Sequence, residues 1–119
     1  MARTSPLDAS PASSNQYARA RYFRVLGDAT RLRLLELLMD GERTVSEMTE
    51  QLGVPRSRVS NHLACLKWCG FAVAERRGRE VVYRVADPRV RQVLRLSRSM
   101  SEEQCDRLGS CSRIGPDWI

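Results

Sequence analysis

The chain has 119 residues, with 20 Lys and Arg against 14 Asp and Glu and a formal net charge of +6. That length suits one domain with a modest core and excludes two full ones. A small basic chain points to a polyanionic partner, nucleic acid first, and no apolar run approaches the roughly 20 residues of a membrane span.

Residues 1–14 are rich in Ser, Ala and Pro and are expected to form a disordered arm. The opening MARTSPLDASPASSNQ has no apolar segment of a secretory signal, which predicts a cytoplasmic protein with reduced thiols. Helical periodicity begins near Asn15, with Tyr17, Tyr22, Val25 and Leu26 on one side and Gly27 at the stop. A second helix follows in DATRLRLLELLMDGE, capped by Asp28 or Thr30 and carrying a stripe of Leu34, Leu35, Leu37 and Leu38. Thr44 and Glu47 then form a capping box before Val45, Met48 and Leu52, and Gly53 ends that helix. After the turn VPRS, a helix over about residues 55–69 places Pro55 in its first turn and Val59, Leu63 and Leu66 on its core side.

The period then changes from 3.6 to 2. FAVAERRGREVVYRVAD reads as strand, tight turn, strand, with Gly78 at the tip and Val81, Tyr83 and Val85 alternating. Asp87 caps a last helix, with Pro88 at its first position and Val90, Val93, Leu94 and Leu96 apolar. The order predicts a mainly α fold with a β-hairpin, a winged helix-turn-helix over residues 15–104, followed by a Cys-containing tail over 105–119.

On a wheel with Val59 at zero, Leu63 and Leu66 fall within about 40° of it. Ser57, Ser60, Asn61 and Ala64 lie on the opposite half, flanked by Arg56 and Arg58. Short polar groups and arginines at the start of a second helix-turn-helix helix can reach base edges and phosphates. The tip ERRGRE adds Arg77 and Arg79, with Arg76, for phosphate or minor-groove contact by a wing. Taken singly, each of these residues reads equally well as a solvated surface group; as a set they favour double-stranded DNA. His62, at about 300° on the wheel, borders the core and reads as a packed histidine bonded to backbone.

The four cysteines are Cys65, Cys69, Cys105 and Cys111. Cys65 and Cys69 share one flank of the helix at about 240° and 280°. Their i, i+4 spacing puts the Cβ atoms roughly 5–6 Å apart, too far for a disulfide at about 3.5–4.5 Å. A metal held at about 2.3 Å from each sulfur tolerates that gap. A single helical cysteine usually packs as a small apolar group. Two at ligand spacing, with two more in a tail, favour a thiolate metal site. With one His in the chain, the donors are sulfur-rich, which selects Cd(II), Pb(II), Hg(II) or As(III).

VLGDATRLRLLELL followed by SRVSNHLACLKWCGFAVAERRGREVVYRVAD resembles the ArsR/SmtB family of metal-responsive repressors over roughly residues 20–95. SNHLACLKWCG is most similar to the cadmium and lead sensors of the CmtR type. The resemblance implies a homodimer joined through helices 15–27 and 87–104, bound to operator DNA. It implies Cys65 and Cys69 as recognition-helix ligands and Cys111 as the tail ligand from the other protomer, with Cys105 as alternative or fourth. The CVC pattern of arsenic sensors is not matched, which ranks As(III) behind the others, and the last helix lacks the His of zinc sensors. Two tail cysteines make Hg(II) a competitor of Cd(II) and Pb(II). The rivals are a thiol redox-sensing repressor and a winged-helix protein-interaction module. An enzyme is not expected: there is no Gly-rich phosphate loop and no nucleophile–base constellation.

Overall fold

A computed structural model describes residues 11–110. The order is α1 (Pro11–Leu26), α2 (Ala29–Met39), β1 (Arg43–Thr44), α3 (Val45–Leu52), α4 (Arg56–Trp68), β2 (Ala72–Arg77), β3 (Glu80–Val85), α5 (Pro88–Glu103) and α6 (Cys105–Ser110). This is a winged helix-turn-helix: α3 and α4 form the helix-turn-helix, and β2 and β3 form the wing. No described helix is long and apolar enough to cross a membrane.

The local signals act where the sequence puts them. The Asp28 side chain accepts the Arg31 backbone N–H at 2.9 Å and caps α2. Thr44 and Glu47 close the capping box reciprocally at 3.1 and 2.8 Å. Gly53 ends α3 in the left-handed conformation, φ 67°, which a residue with a Cβ adopts at a cost. The turn into α4 is therefore only a few residues long, and α4 crosses α3 at close range. At the wing tip Arg77 pairs with Glu80, leaving Gly78 and Arg79 as the turn. Gly78 has φ 65° and Arg79 is not in the positive-φ region, the pattern of a type II′ hairpin.

The core is one cluster built from Leu34, Leu35, Leu38, Met48, Val59, Leu63, Leu66 and Phe71, with Val90 and Leu94 from α5. Burying each such side chain stabilises the fold by about 1.5–3 kcal/mol. Tyr22 of α1 reaches the same cluster and stacks on Phe71 at 4.6 Å.

Four expectations are corrected. The first helix starts at Pro11 rather than near Asn15, because Pro tolerates a first turn and the Ala and Ser that follow do not oppose a helix. Pro55 is the residue before α4, not within it. Part of the tail, Cys105–Ser110, is a short helix. A third strand, β1, pairs with β3 through Arg43–Tyr83 and Thr44–Val82, giving the sheet order β1-β3-β2. Two residues carry no readable alternation, so that strand exists only through its partner.

Candidate DNA-reading face and thiol pair

Val59, Leu63 and Leu66 are fully buried and hold α4 in one rotational setting. That setting leaves Arg56, Ser57, Arg58, Ser60 and Asn61 exposed on the outer side. Trp68, which is 90% exposed, continues the outward line of Ser57, Asn61 and Ala64 toward the helix end. Arg56 donates to the Ser46 hydroxyl at 3.0 Å, a link from α4 back to α3.

The wing arginines are not equivalent. Arg77 donates to both Glu42 oxygens, at 2.6 and 3.2 Å, and to Glu75 at 3.0 Å. These hydrogen bonds hold the Glu42 and Glu75 carboxyls below their usual range and hold the guanidinium above its own. Arg79 occupies the turn itself and is exposed. The structure thus brings Arg79 and the polar residues of α4 to the surface, with Arg56 bonded to Ser46, while two carboxylates of the same chain share Arg77.

His62 was expected to bond to backbone. Instead its Nδ1 lies 3.4 Å from Nη1 of Arg31 and 3.8 Å from Oδ2 of Asp28. A guanidinium only donates, so a hydrogen bond with Arg31 requires Nδ1 as the acceptor. Arg31 also donates through Nε to the Val25 carbonyl at 2.8 Å. Arg31 therefore joins the end of α1, the start of α2 and the middle of α4. Sequence reading missed this junction; the Asp-x-x-Arg spacing that opens α2 is the signal that could have found it.

Cys65 is half-buried and Cys69 is exposed, and both are free thiols. The Cys69 backbone N–H donates to the Cys65 carbonyl at 2.9 Å, so one helical turn separates the residues. Desolvation by burial raises the Cys69 thiol above its ordinary range, and the adjacent Cys65 raises it further; Arg21 and Arg31 oppose the shift. A Cys69 thiolate formed beside Cys65 is therefore one that a shared cation would stabilise. Cys105 is exposed on α6. No cluster of three His, Cys, Asp or Glu ligands assembles among the described residues. The Cys65–Cys69 pair fits a soft ion but is incomplete by itself, and Cys111 lies outside the described residues.

A winged helix-turn-helix with exposed polar groups on its second helix defines a regulator of the DNA-binding class rather than an enzyme. The model of the family described as "Bacterial regulatory protein, arsR family" matches residues 28–73. A "Probable mercury resistance operon repressor" of Streptomyces lividans is 44% identical over 95 residues, covering 80% of this chain and 76% of that one. The chain belongs to the ArsR/SmtB family. The regulator CmtR of Mycobacterium tuberculosis is 46% identical over 77 residues, 65% of either chain, so the match stops just short of two thirds of its length. The NMR structure of CmtR, a cadmium metal sensor, is similar with a TM-score of 0.55 and 45% identity, over 63% of this chain and 78% of that one. The homodimeric winged helix-turn-helix DNA-binding domain from Mycobacterium bovis is similar with a TM-score of 0.73 and 29% identity, over 87% and 92%.

Proposed function

We propose that the chain is a metal-responsive repressor whose operator complex is released when a thiophilic heavy metal binds Cys65 and Cys69. One juxtaposition carries this reading. The thiol pair and the exposed Ser57, Ser60 and Asn61 belong to the same helix, α4. The mercury-resistance repressor and the cadmium sensor among its relatives support the same chemistry.

A homodimer presents two copies of α4 to successive major grooves about 34 Å apart. Phe23 of α1 and Leu96 and Met100 of α5 are large exposed apolar groups that suit such a dimer interface, and the Mycobacterium bovis relative is a homodimer. Arg56 and Arg58 contact phosphates, Ser57, Ser60 and Asn61 face base edges, and Arg79 reaches the backbone from the wing. A tail cysteine of the partner protomer, Cys111 or Cys105, supplies the third thiolate. The bound ion, Cd(II), Pb(II) or Hg(II), supplies positive charge that lets neighbouring thiols stay ionised. Joining Cys65 and Cys69 to the tail moves the helix that reads DNA. By linkage, DNA weakens metal binding by the same factor, and about 1–3 kcal/mol of coupling suffices. Reduced thiols require a reducing compartment, in keeping with a cytoplasmic protein.

The test is a fluorescent operator complex titrated with Cd(II), Pb(II), Hg(II) and arsenite under reducing conditions. At least one of the first three is expected to release the DNA; retention against all of them sinks the reading. Cys65→Ser and Cys69→Ser should bind DNA but no longer respond. Comparison of Cys105→Ser with Cys111→Ser assigns the tail ligand.

A further inference from the structure

A groove of about 800 Å3 runs beside the thiol pair, against α1. Tyr22 and Phe71 give it an aromatic wall, Cys69 opens onto it, and Arg21, Arg24 and Arg31 line it. No Asp or Glu is among its described lining residues. Arg21 donates to the Tyr17 hydroxyl at 3.2 Å, and Arg31 is committed to the Val25 carbonyl and faces His62. Among the described residues, none of the three is paired with a carboxylate. Arg21 lies about 160° around α1 from the exposed Phe23, so the groove and the proposed dimer surface use different faces of that helix.

This electrostatics is wrong for a bare dication. Three guanidiniums beside the entering thiol repel free Cd(II) or Hg(II). They attract an anion, and the aromatic wall adds room for an organic group. In a reducing, thiol-rich medium, a thiophilic ion is carried by small thiols, and carboxylate-bearing thiols make that complex anionic.

We propose that this groove receives the inducing ion as an anionic complex with a carboxylate-bearing small thiol, and that Cys69 takes the ion over by ligand exchange. The inference rests on the metal-responsive reading above. Cys69 is the accessible member of the pair and attacks first. A bond from Cys69 Sγ to the metal forms as one metal–sulfur bond to the small thiol breaks. The proton from Cys69 ends on the departing thiolate, and no electrons change hands. Cys65, half-buried one turn back, then displaces the second small thiol in the same way. Arg21, Arg24 and Arg31 act only by holding carboxylates of the incoming complex, so they govern the rate of delivery and not the final affinity.

The experiment compares two Cd(II) donors, its complexes with glutathione (anionic) and with cysteamine (cationic). The protein is mixed with each donor and quenched with N-ethylmaleimide at increasing times. Mass spectrometry then reads metal protection of Cys65 and Cys69. An Arg21→Gln/Arg24→Gln variant is run beside the wild type; both side chains are exposed, so the core is untouched. The ratio of wild-type to variant rate cancels the lability of each donor. It is expected to be roughly ten for the glutathione complex at low salt and about one for the cysteamine complex. Equal ratios for the two donors overturn the proposal. As a second measurement on the wild type alone, added salt should slow the glutathione donor and speed the cysteamine donor; a rate that ignores salt also overturns it. Failure of both donors to protect either cysteine in the wild type overturns the metal-responsive reading itself.

Discussion

Nη1 of Arg77 lies 2.6 Å from Oε1 of Glu42, so the tip end of β2 is tied to the residue just before β1. Glu75 on β2 holds the same guanidinium at 3.0 Å. A charge shared by two carboxylates makes a weaker phosphate ligand than a free one, and these contacts tie β2 to the segment that leads into α3. Arg79, on the turn and exposed, has no carboxylate partner among the described residues.

Salt dependence separates the two arginines. Arg79→Ala should lower the log–log salt slope of operator binding by about one unit, the loss of one phosphate contact. Arg77→Ala should change the slope by much less while weakening binding at every salt concentration. Fluorescence anisotropy of a labelled operator between low and physiological salt measures both. Equal slope changes would return Arg77 to the DNA interface.

The thiol pair has a pH signature. Desolvation by burial, and then Cys65, raise the Cys69 thiol. Its alkylation rate should therefore rise at higher pH than that of an ordinary cysteine. Cys65→Ser removes the second cause and leaves the first, so the midpoint should move down without reaching the ordinary range. The stability effect has one sign. A raised thiol contributes fully below its unfolded pKa, and the contribution is lost as pH rises through the folded pKa. Mass-spectrometric alkylation profiles of the two proteins check the shift; coincident profiles count against contact between the thiols.

Leu63 and Ser60 test whether the two faces of α4 are as distinct as their burial implies. Leu63→Ala, in a fully buried position, should cost about 2–5 kcal/mol. Ser60→Ala, exposed, should stay within about 0.5 kcal/mol yet weaken operator binding. Urea unfolding and DNA titration on the same samples supply both readings. A large stability loss at Ser60 would place that side chain in the fold rather than on the reading face.

Arg31 links three helices through the Val25 carbonyl, its own N-cap and His62. Replacing it by Ala removes the Val25 bond and the His62 contact, at a cost of about 1–2 kcal/mol. His62→Ala removes only one of these and should cost less. Chemical denaturation of the two variants and of the double variant tests the coupling. Strict additivity would mean that the 3.4 Å contact carries no interaction energy.

Much of the fold was legible because its signals are local. Thr44 and Glu47 satisfy each other three residues apart, Asp28 and Asp87 cap their own helices, and Gly78 turns its own hairpin. The wheel of α4 separated Val59, Leu63 and Leu66 from Ser57, Ser60 and Asn61, and the burial follows that division. The thiol pair was legible for the same reason: one turn of helix dictates the separation of Cys65 and Cys69. Strand β1 was not, because two residues have no period and pair only with β3, some 40 positions away in the chain. The backbone partner expected for His62 was wrong because helix geometry places a ring at a border without saying which side chain of another helix stands there.

The sequence by itself determined the order of the elements, the core face and the exposed polar face of α4, and the placing of two thiols one turn apart. These follow from the 3.6-residue period, from caps and from turn glycines, all of which act within a few residues. Only the tertiary structure decided which charges are free. It gave Arg77 to Glu42 and Glu75, gave Arg31 to Val25 and His62, and gathered Arg21, Arg24 and Arg31 around the approach to Cys69. A guanidinium on a long flexible stem takes its partner from whatever the packing of distant elements brings within about 3 Å, and no local pattern records that choice.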